Sequence, residues 1–342
     1  MKAAFFLQHG GPSVMTCGEL PDPELRPGLV RVQIKAAAMN RVDKWTRDGY
    51  PGLKLPLPHV PGSDGAGVVA EAGAGVTTVQ AGDRVVVNTN LGCGLCEYCV
   101  AGQDNLCRDW HLLGETVWGT NAEFLVVPER QLLKIPDGFA FEQAAAAGLV
   151  FQTAWHSLIT RGQVKPGETV LIVGAGGGVN TAAIQIAKLA GGTVYVVGSE
   201  ARKLDRARSL GADVLVDRSQ EDWGRKIFAL TGKRGVDVVV DNVGAATMMT
   251  SLRAARKGGR ILTVGNTAGP KFEFDNRYMF AKHLSLIGST MSTRSEFAAV
   301  MQLVFAGKLK PVIDSTFPLT DIRQAHERME SGEVLGKIVL TV

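Results

Sequence analysis

The chain has 342 residues, of which 45% are hydrophobic and 20% are charged, and its formal net charge at pH 7 is only +4. This length is enough for two domains with separate cores, and the balance of residue types is that of a globular protein. The small net charge and the lack of a dense Lys/Arg stripe give no indication of nucleic-acid binding, and we expect no nucleic-acid partner.

The sequence contains no apolar run that approaches the ~20 residues needed to span a bilayer. The segment from Met1 to Gln8 lacks the charged region and long apolar stretch of a secretory signal. We therefore expect a cytoplasmic protein that acts on a small molecule and has no membrane partner.

The first part of the chain, about residues 1–130, consists of short apolar runs separated by turn sequences. Turn-forming residues at 21–23, 26–28 and 81–83 punctuate runs such as Leu29–Ile34 and Arg84–Val87. This pattern predicts an irregular, mainly β domain.

The pattern changes after about Phe141, where strands begin to alternate with helices. A helix is predicted over residues 142–160, and apolar runs rich in Val and Ile follow at 169–173, 194–197, 214–216, 236–240, 261–264 and 284–287. Six such strands predict a doubly wound parallel sheet covered by helices on both faces. We expect one domain to comprise residues 1–140 and 291–342, and a nucleotide-binding domain to comprise residues 141–290.

A glycine cluster joins the first of these strands to a helix. It includes Gly174, Gly176, Gly177 and Gly178, and Val179 stands where the strict G-x-G-x-x-G motif has its third glycine. Glycines here let the backbone approach a dinucleotide pyrophosphate at the helix N-terminus. A tight turn without a ligand is the alternative, but the strand, turn and helix context favours nucleotide binding.

The end of the second strand bears on the choice between NAD(H) and NADP(H). An acid there favours NAD(H) because it binds the ribose hydroxyls, but Gly198 and Ser199 offer none, and Arg202 and Lys203 follow. Glu200 is a counter-signal, and the two basic residues could also form an ordinary solvated helix face. The pattern favours NADP(H).

Four of the five cysteines lie in one short segment, in the order Cys93-x2-Cys96-x2-Cys99-x7-Cys107. Four thiolates suit a structural zinc with a closed tetrahedral shell. An iron–sulfur cluster is disfavoured by the x7 spacing and by Arg108 after the last cysteine. Unmetallated thiols remain the other alternative. We expect one structural zinc ion per chain in a lobe at residues 92–108.

Further motifs then identify a family. They are Gly62-x-x-Gly65-x-Gly67-x-Val69, Ala81-Gly82-Asp83-Arg84-Val85, Asp241-x-Val243-Gly244 and Gly336-Lys337. With the cysteine lobe and the glycine loop, they make nearly the whole chain resemble the medium-chain dehydrogenase/reductase superfamily of zinc-type alcohol dehydrogenases and quinone oxidoreductases. The resemblance implies an α/β protein with a GroES-like domain and a Rossmann domain, and a homodimer or homotetramer.

Zinc alcohol dehydrogenases hold a catalytic zinc with a Cys, a His and a second Cys or an acid. The resemblance puts Asn40, Ser63 and Leu149 in those places, with Asp64 at a neighbouring acidic position. One carboxylate does not make a zinc site. The sequence therefore predicts that the structural zinc is kept and the catalytic zinc is lost.

Asn40 with Asp43, and the later Arg47-x-Gly49-Tyr50, resemble the quinone-oxidoreductase branch, which lacks catalytic zinc and uses NADPH. That branch usually lacks the cysteine lobe, so this chain is mixed in character, and Trp45 stands where a tyrosine is often found. We expect Asn40, Tyr50 and Ser63 to donate hydrogen bonds to the substrate and Trp45 to stack on it. The resemblance also places several residues against the cofactor: Thr153, Asn242, Asn266 and Lys337. Three histidines are weaker candidates for a base: His59, His111 and His156.

Three functions remain open at this point. Hydride transfer to an enone or quinone spreads charge into an enolate or hydroquinone, which ordinary hydrogen-bond donors can stabilise. An alcohol dehydrogenase would need another proton relay or a metal recruited through Asp64, because an alkoxide needs a Lewis acid or an acid. A non-catalytic NADPH-binding protein is the third. We favour an NADPH-dependent reductase of quinones or α,β-unsaturated carbonyl compounds.

Overall fold

The computed structural model describes all residues from Met1 to Val342, and the chain forms two compact units. The first unit comprises Met1–Gln152 and Ser292–Val342, and the second comprises Thr153–Met291. Residues 141–152, which we expected to begin the nucleotide-binding domain, thus group with the first unit. No helix has the length and apolar character that crossing a membrane requires.

The N-terminal segment is mainly β-structure. Its elements are β1 (Lys2–Phe5), β2 (Thr16–Glu19), β3 (Leu29–Ala38), α1 (Arg41–Asp48), β4 (Asp64–Ala72), β5 (Arg84–Val87), β6 (Asn90–Leu91), α2 (Glu97–Val100), β7 (His111–Leu112), β8 (Phe124–Pro128) and β9 (Leu132–Lys134).

The central segment alternates helices and strands. Its elements are α3 (Phe141–Trp155), β10 (Thr169–Val173), α4 (Gly178–Leu189), β11 (Thr193–Gly198), α5 (Ala201–Ser209), β12 (Val214–Asp217), α6 (Trp223–Leu230), β13 (Val236–Asp241), α7 (Met248–Ala254), β14 (Ala255–Thr263), α8 (Asn276–Lys282) and β15 (Ser285–Gly288). The predicted helix at 142–160 is divided, because α3 ends at Trp155 and a π-helical turn continues to Arg161.

The C-terminal segment returns to the first unit. Its elements are α9 (Arg294–Phe305), β16 (Ile313–Pro318), α10 (Ile322–Glu330) and β17 (Lys337–Thr341).

The first unit is built around a seven-stranded sheet in the order β16-β17-β3-β4-β5-β9, with β8 also paired to β3. Strand β3 buries every second residue from Val30 to Ile34 and then all of Ala36–Ala38. Burial of a Val or Ile side chain contributes about 1.5–3 kcal/mol, so this alternation fixes which face of β3 meets the core. The small alanines at its end let neighbouring strands and loops pack closely.

The second unit contains a six-stranded parallel sheet in the order β12-β11-β10-β13-β14-β15. The prediction of a doubly wound sheet with a GroES-like partner domain is confirmed. Strand β10 lies between β11 and β13, so the order of the strands reverses there. Loops after these strands meet at the carboxyl edge of the sheet, where such folds bind ligands.

Candidate functional site

Three strand ends meet in the first unit. Ala38, the last residue of β3, pairs with Asp64 at the start of β4 and with Val339 in β17. Both pairings are antiparallel, so two further residues along β3 bring Asn40 opposite Lys337. The sheet register therefore gathers three residues that the sequence separates by as many as 297 positions.

A buried ion pair with a bridging amide forms at these strand ends. Lys337 Nζ donates hydrogen bonds to Asp64 Oδ2 at 2.9 Å and to Asn40 Oδ1. Asn40 Nδ2 donates to the same Asp64 oxygen at 2.9 Å and to the carbonyl oxygen of Ala38 at 3.3 Å. Lys337 is 3% exposed and Asp64 is fully buried. A charge pair this deep is stable only because each charge has good hydrogen-bond partners.

A second carboxyl, that of Asp43, supports this arrangement from helix α1. Its Oδ2 accepts from the backbone N–H of Asn40 at 2.7 Å, and its Oδ1 accepts from the N–H of Gly62 at 3.2 Å. Burial raises the pKa of Asp43 to about 7, and the charge of Asp64 adds to this, while the two N–H donors and Lys337 oppose it. Asp43 thereby holds the end of β3 against the loop before β4.

The other oxygen of Asp64 is also occupied. Asp64 Oδ1 accepts a 2.6 Å hydrogen bond from the backbone N–H of Leu149 in helix α3. The three positions that the resemblance assigns to metal ligands, residues 40, 63 and 149, therefore lie around one carboxylate. Both oxygens of that carboxylate are already bonded to donors of the chain itself.

The four residues predicted to be catalytic are not all in this cluster. Ser63 is fully buried beside Asp64, and its Oγ has no hydrogen-bond partner. Trp45 is half-buried on α1. Tyr50 is 42% exposed, and its hydroxyl donates to Glu115 Oε1 at 3.0 Å. Burial, reinforced by Glu115, raises the pKa of Tyr50 to about 12, which makes it a weaker acid than a free tyrosine.

The histidines considered as bases lie outside the cluster. His59 is buried, its Nε2 is 3.1 Å from the carbonyl oxygen of Gly114, and burial lowers its pKa. His111 Nδ1 is 3.0 Å from Thr116 Oγ1. His156 belongs to the π-helical turn in the second unit.

Sequence reasoning recognised Asn40 and Ser63 but gave Lys337 a different role. Lys337 was predicted to bind the cofactor, and the structure adds that its ammonium donates to Asp64 Oδ2. Asp43 was noted only as a family feature. The contact between Lys337 and Asp64 depends on the register of β3 and β17, which the sequence alone does not reveal. Buried lysines are rare unless they are paired, so a Lys opening an apolar strand was the one local hint.

In the second unit, the glycine loop follows β10 and leads into α4. Gly174 has a φ of +104°, which favours glycine. Asn180 Nδ2 ties the loop down through the carbonyl oxygens of Val173 and Gly174, at 2.9 and 2.8 Å. Gly177 is the N-cap residue, and no side chain caps the helix. The first backbone N–H groups of α4 thus point out of the helix end, as a phosphate site requires.

The other predicted cofactor residues belong to the same unit, with Asn242 and Asn266 in loops and Thr153 near the end of α3. Asn242 follows β13, accepts from the N–H of Val264 at 2.9 Å and donates to Asn180 at 3.2 Å. Thr153 is buried, and its Oγ1 is 3.9 Å from the sulfur of Met291. Asn266 accepts through its backbone oxygen from the N–H of Gly269 at 2.9 Å. Asn180, which sequence reasoning missed, organises the loop.

The end of β11 carries both signals for cofactor choice. Ser199 and Glu200 come between β11 and α5, and Lys203 Nζ pairs with Glu200 Oε1 at 2.5 Å. Arg202 is exposed at the start of α5. Glu200, which would favour NAD(H), and Lys203, which would favour NADP(H), thus form an ion pair with each other.

The four clustered cysteines bring their sulfur atoms within 4.8 Å of one another. Cys93 and Cys99 are 4.0 Å apart at sulfur, and Cys96 and Cys107 are 3.8 Å apart. Zn–S bonds of about 2.3 Å in a tetrahedron give sulfur separations of about 3.8 Å. Backbone donors at Cys99 and Arg108 lower the pKa of Cys96 to about 6. The cluster fits a structural zinc ion.

Comparison with known proteins extends these observations. Residues 26–137 match the alcohol dehydrogenase GroES-like domain, and residues 178–306 match the zinc-binding dehydrogenase domain. The chain is 33% identical to a crotonyl-CoA reductase of Streptomyces collinus over 92% of this chain and 80% of the relative. It is 30% identical to a quinone oxidoreductase of Homo sapiens over 99% of this chain and 97% of the relative.

Among solved structures, that of an NAD-dependent alcohol dehydrogenase superposes with a TM-score of 0.96 at 44% identity, over the full length of both chains. The likeness in sequence and in structure therefore covers both units.

Proposed function

We propose that this chain, which belongs to the medium-chain dehydrogenase/reductase superfamily of oxidoreductases, uses NADPH to reduce quinones or α,β-unsaturated carbonyl compounds without a catalytic zinc. The relatives include a crotonyl-CoA reductase and a quinone oxidoreductase, whose names both denote reductases of conjugated systems. The observation that carries the proposal is the set of contacts around Asp64.

The residues around Asp64 do not form a donor set for zinc. A catalytic zinc needs three protein ligands from Cys, His, Asp or Glu. Asn and Ser are not usual ligands, and Leu149 offers only its backbone N–H. A metal would also have to displace the ammonium of Lys337 from Asp64 Oδ2. This supports the loss of the catalytic metal and argues against metal recruitment through Asp64.

The absence of a Lewis acid selects the substrate class. Reduction of a simple ketone builds up an alkoxide, and loss of several kcal/mol of metal stabilisation lowers its rate on the order of a thousandfold or more. An enolate or hydroquinone spreads its charge, so hydrogen-bond donors suffice. We therefore expect little oxidation of simple primary alcohols.

The glycine loop fits a nicotinamide dinucleotide. A Cβ at Gly177 would meet nothing within 4 Å, so the loop leaves open space at the uncapped start of α4. When bound, NADPH supplies the hydride. We propose that Gly176, Gly178 and Val179 contact its pyrophosphate, with Thr153, Asn242 and Asn266 nearby.

We propose NADP(H) over NAD(H) because Arg202 and Lys203 follow β11. A charged contact to the 2′-phosphate strengthens binding. NAD(H) is the alternative, favoured by Glu200 at the end of β11 and by the NAD-dependent alcohol dehydrogenase of the same fold.

A substrate panel tests the proposed function. NADPH oxidation is followed with 1,4-naphthoquinone, cyclohex-2-enone, benzaldehyde and, in reverse, ethanol or benzyl alcohol. A chelator mild enough to spare the four-thiolate site is applied first. We expect turnover of the quinone or the enone that survives chelation.

Two results would replace this function with one of its alternatives. Fast alcohol oxidation that chelation abolishes and zinc restores would identify a zinc alcohol dehydrogenase. Tight NADPH binding without turnover of any of these compounds would identify a non-catalytic binding protein.

A further inference from the structure

A cavity of about 340 Å³ lies in the first unit at the start of helix α9. Its walls come from the first turn of α9, from the segment that leads from β8 into β9, from Asn88 and from the zinc lobe. None of the residues bonded around Asp64 lines it, and the glycine loop belongs to the second unit. Pockets for small molecules span about 300–1,000 Å³, so this separate cavity suits one small molecule rather than a dinucleotide.

Two exposed arginines line the cavity from different elements. Arg130 lies in the turn between β8 and β9, and its Nη2 donates to the carbonyl oxygen of Gly92 at 3.0 Å. Arg294 is the first residue of α9, and its guanidinium has no hydrogen-bond partner in the chain. A guanidinium carries five N–H donors in a planar fork. Most of the donors on these two side chains are therefore free for a ligand.

One acid, Asp104, also lines the cavity, and its oxygens already accept from the chain. Its Oδ1 accepts from the backbone N–H of Arg294 at 3.0 Å, and its Oδ2 accepts from Asn90 Nδ2 at 3.1 Å. The first contact ties the start of α9 to the zinc lobe. Two arginines against one aspartate leave a surplus of positive charge, which favours an anionic ligand.

An unused donor on Asn88 is the second, independent sign of a ligand. Asn88 is 1% exposed and lines the cavity, and its Oδ1 accepts from the N–H of Asn90 at 3.2 Å. Its backbone exchanges hydrogen bonds with Gln131 at 2.7 and 2.8 Å. The side-chain Nδ2 has no partner. A buried donor without an acceptor is costly, and an oxygen atom of a bound anion would satisfy it.

The remaining walls of the cavity are apolar. Leu132 and Leu133 are half-buried on β9, and Phe297 is 2% exposed on α9. Sites for small molecules combine walls of this kind with a few polar groups that fix the orientation of the ligand. The ligand should therefore carry a short apolar chain as well as a charge.

We propose that this cavity binds a small organic anion, a carboxylate or a phosphate monoester on a short apolar chain. Arg130 and Arg294 bind the charged group through charge-assisted hydrogen bonds, and Asn88 Nδ2 donates to one of its oxygens. The chain packs against Leu132 and Phe297. This site goes beyond the proposed function and does not depend on it.

Titration calorimetry at low ionic strength tests the site, because salt screens exposed charges. The probes are hexanoate, hexyl phosphate, the neutral hexanamide and inorganic phosphate. The variants are the double substitution Arg130→Gln, Arg294→Gln and the single substitution Asn88→Asp, which removes the donor. Arg26→Gln is the matched control, since Arg26 is an exposed arginine of the same unit, pairs with Glu24 at 2.7 Å and does not line the cavity. Thermal unfolding shows that each variant is folded.

We expect hexanoate or hexyl phosphate to bind at least about tenfold more tightly than hexanamide, and inorganic phosphate to bind more weakly than hexyl phosphate. The tighter of the two anions identifies the charged group. Both site variants should weaken its binding at least about tenfold, whereas Arg26→Gln should leave it unchanged.

Three results would overturn the proposal. They are no binding of either anion at millimolar concentration, equal affinities for hexanoate, hexyl phosphate and hexanamide, and wild-type affinity in either folded site variant. The titrations need no turnover, so they remain decisive if the proposed function fails.

Discussion

The backbone N–H of Leu149 lies 2.6 Å from Asp64 Oδ1, and this approach depends on the residue before it. A Cβ added at Gly148 would lie 2.4 Å from the same oxygen. Helix α3 therefore carries a glycine at the one point where it must meet the buried carboxylate of the candidate site.

Gly148→Ala should disrupt the site although alanine is the better helix former. Propensity favours alanine by about 1 kcal/mol, but a contact under 3 Å with a carboxylate held by three other bonds forces the helix or Asp64 to move. Overpacking of this kind costs about 1–3 kcal/mol. We expect a lower melting temperature and reduced turnover, measured by calorimetry and by NADPH oxidation.

Gly11→Ala is the control for that variant, because a Cβ at Gly11 meets nothing within 4 Å and its φ of −70° suits alanine. It should unfold at the wild-type temperature. An unchanged melting temperature and turnover for Gly148→Ala would contradict the steric argument.

Elemental analysis should find one zinc ion per chain, bound by the four clustered cysteines. Cys96→Ser should lose it and unfold well below the wild type, because a structural zinc contributes its binding free energy to folding. Cys17→Ser, at a half-buried thiol outside the cluster, should retain the metal. Two tightly bound zinc ions in the wild-type chain would contradict the single site.

Titration calorimetry should show that NADPH binds about tenfold or more tightly than NADH, an advantage of at least about 1.4 kcal/mol. The double variant Arg202→Ala, Lys203→Ala should remove this preference by weakening NADPH alone. Arg208→Ala, an exposed position at the far end of α5, serves as the control. Equal dissociation constants for the two cofactors in the wild type would refute the assignment.

The stability of the protein should fall on the acid side because of His326. Arg47 donates to His326 Nδ1 at 2.9 Å, and burial with the Arg47 charge lowers the pKa of His326 to about 3. Its value in the unfolded chain is about 6.5. Below pH 6.5 the imidazole becomes protonated in the unfolded chain, whereas in the folded chain it stays neutral down to about pH 3. The free energy of unfolding therefore falls as the pH drops from 6.5 toward 3, by at most about 1.4 kcal/mol per pH unit.

His326→Gln keeps an acceptor for Arg47 but cannot titrate. Its free energy of unfolding, from urea melts between pH 7 and 4, should therefore depend less steeply on pH than that of the wild type. Parallel curves for the two proteins would show that His326 does not carry the effect.

Oligomeric state is a further expectation from the family resemblance. Strand β15 pairs only with β14 and so forms an edge of its sheet, and Leu286 on it is 38% exposed. Pairing of two such edges across a two-fold axis would satisfy their backbone groups. Sedimentation at micromolar concentration should show a dimer or tetramer, and Leu286→Lys should shift it toward monomer. A monomeric wild type would contradict this.

Features encoded by local spacing were predictable from the sequence. The six runs rich in Val and Ile became the six parallel strands, because strands buried on both faces need continuous apolar residues. The cysteine cluster was equally readable, since its ligands lie within one loop and their spacing already limits their separation. The first strand of the nucleotide unit and the glycine loop were predicted at their observed positions.

What the tertiary structure decided is the chemistry around Asp64. Asn40 follows β3, and Asp64, Leu149 and Lys337 lie on β4, α3 and β17. Only the register of β3 with β4 and β17 and the approach of α3 bring the four residues together. Side-chain partners across such distances depend on strand pairing, which the hydrophobic pattern does not specify beyond the choice of face. The sequence by itself therefore determined the fold class, the glycine loop and the thiolate cluster, whereas long-range packing alone decided that Lys337 pairs with Asp64.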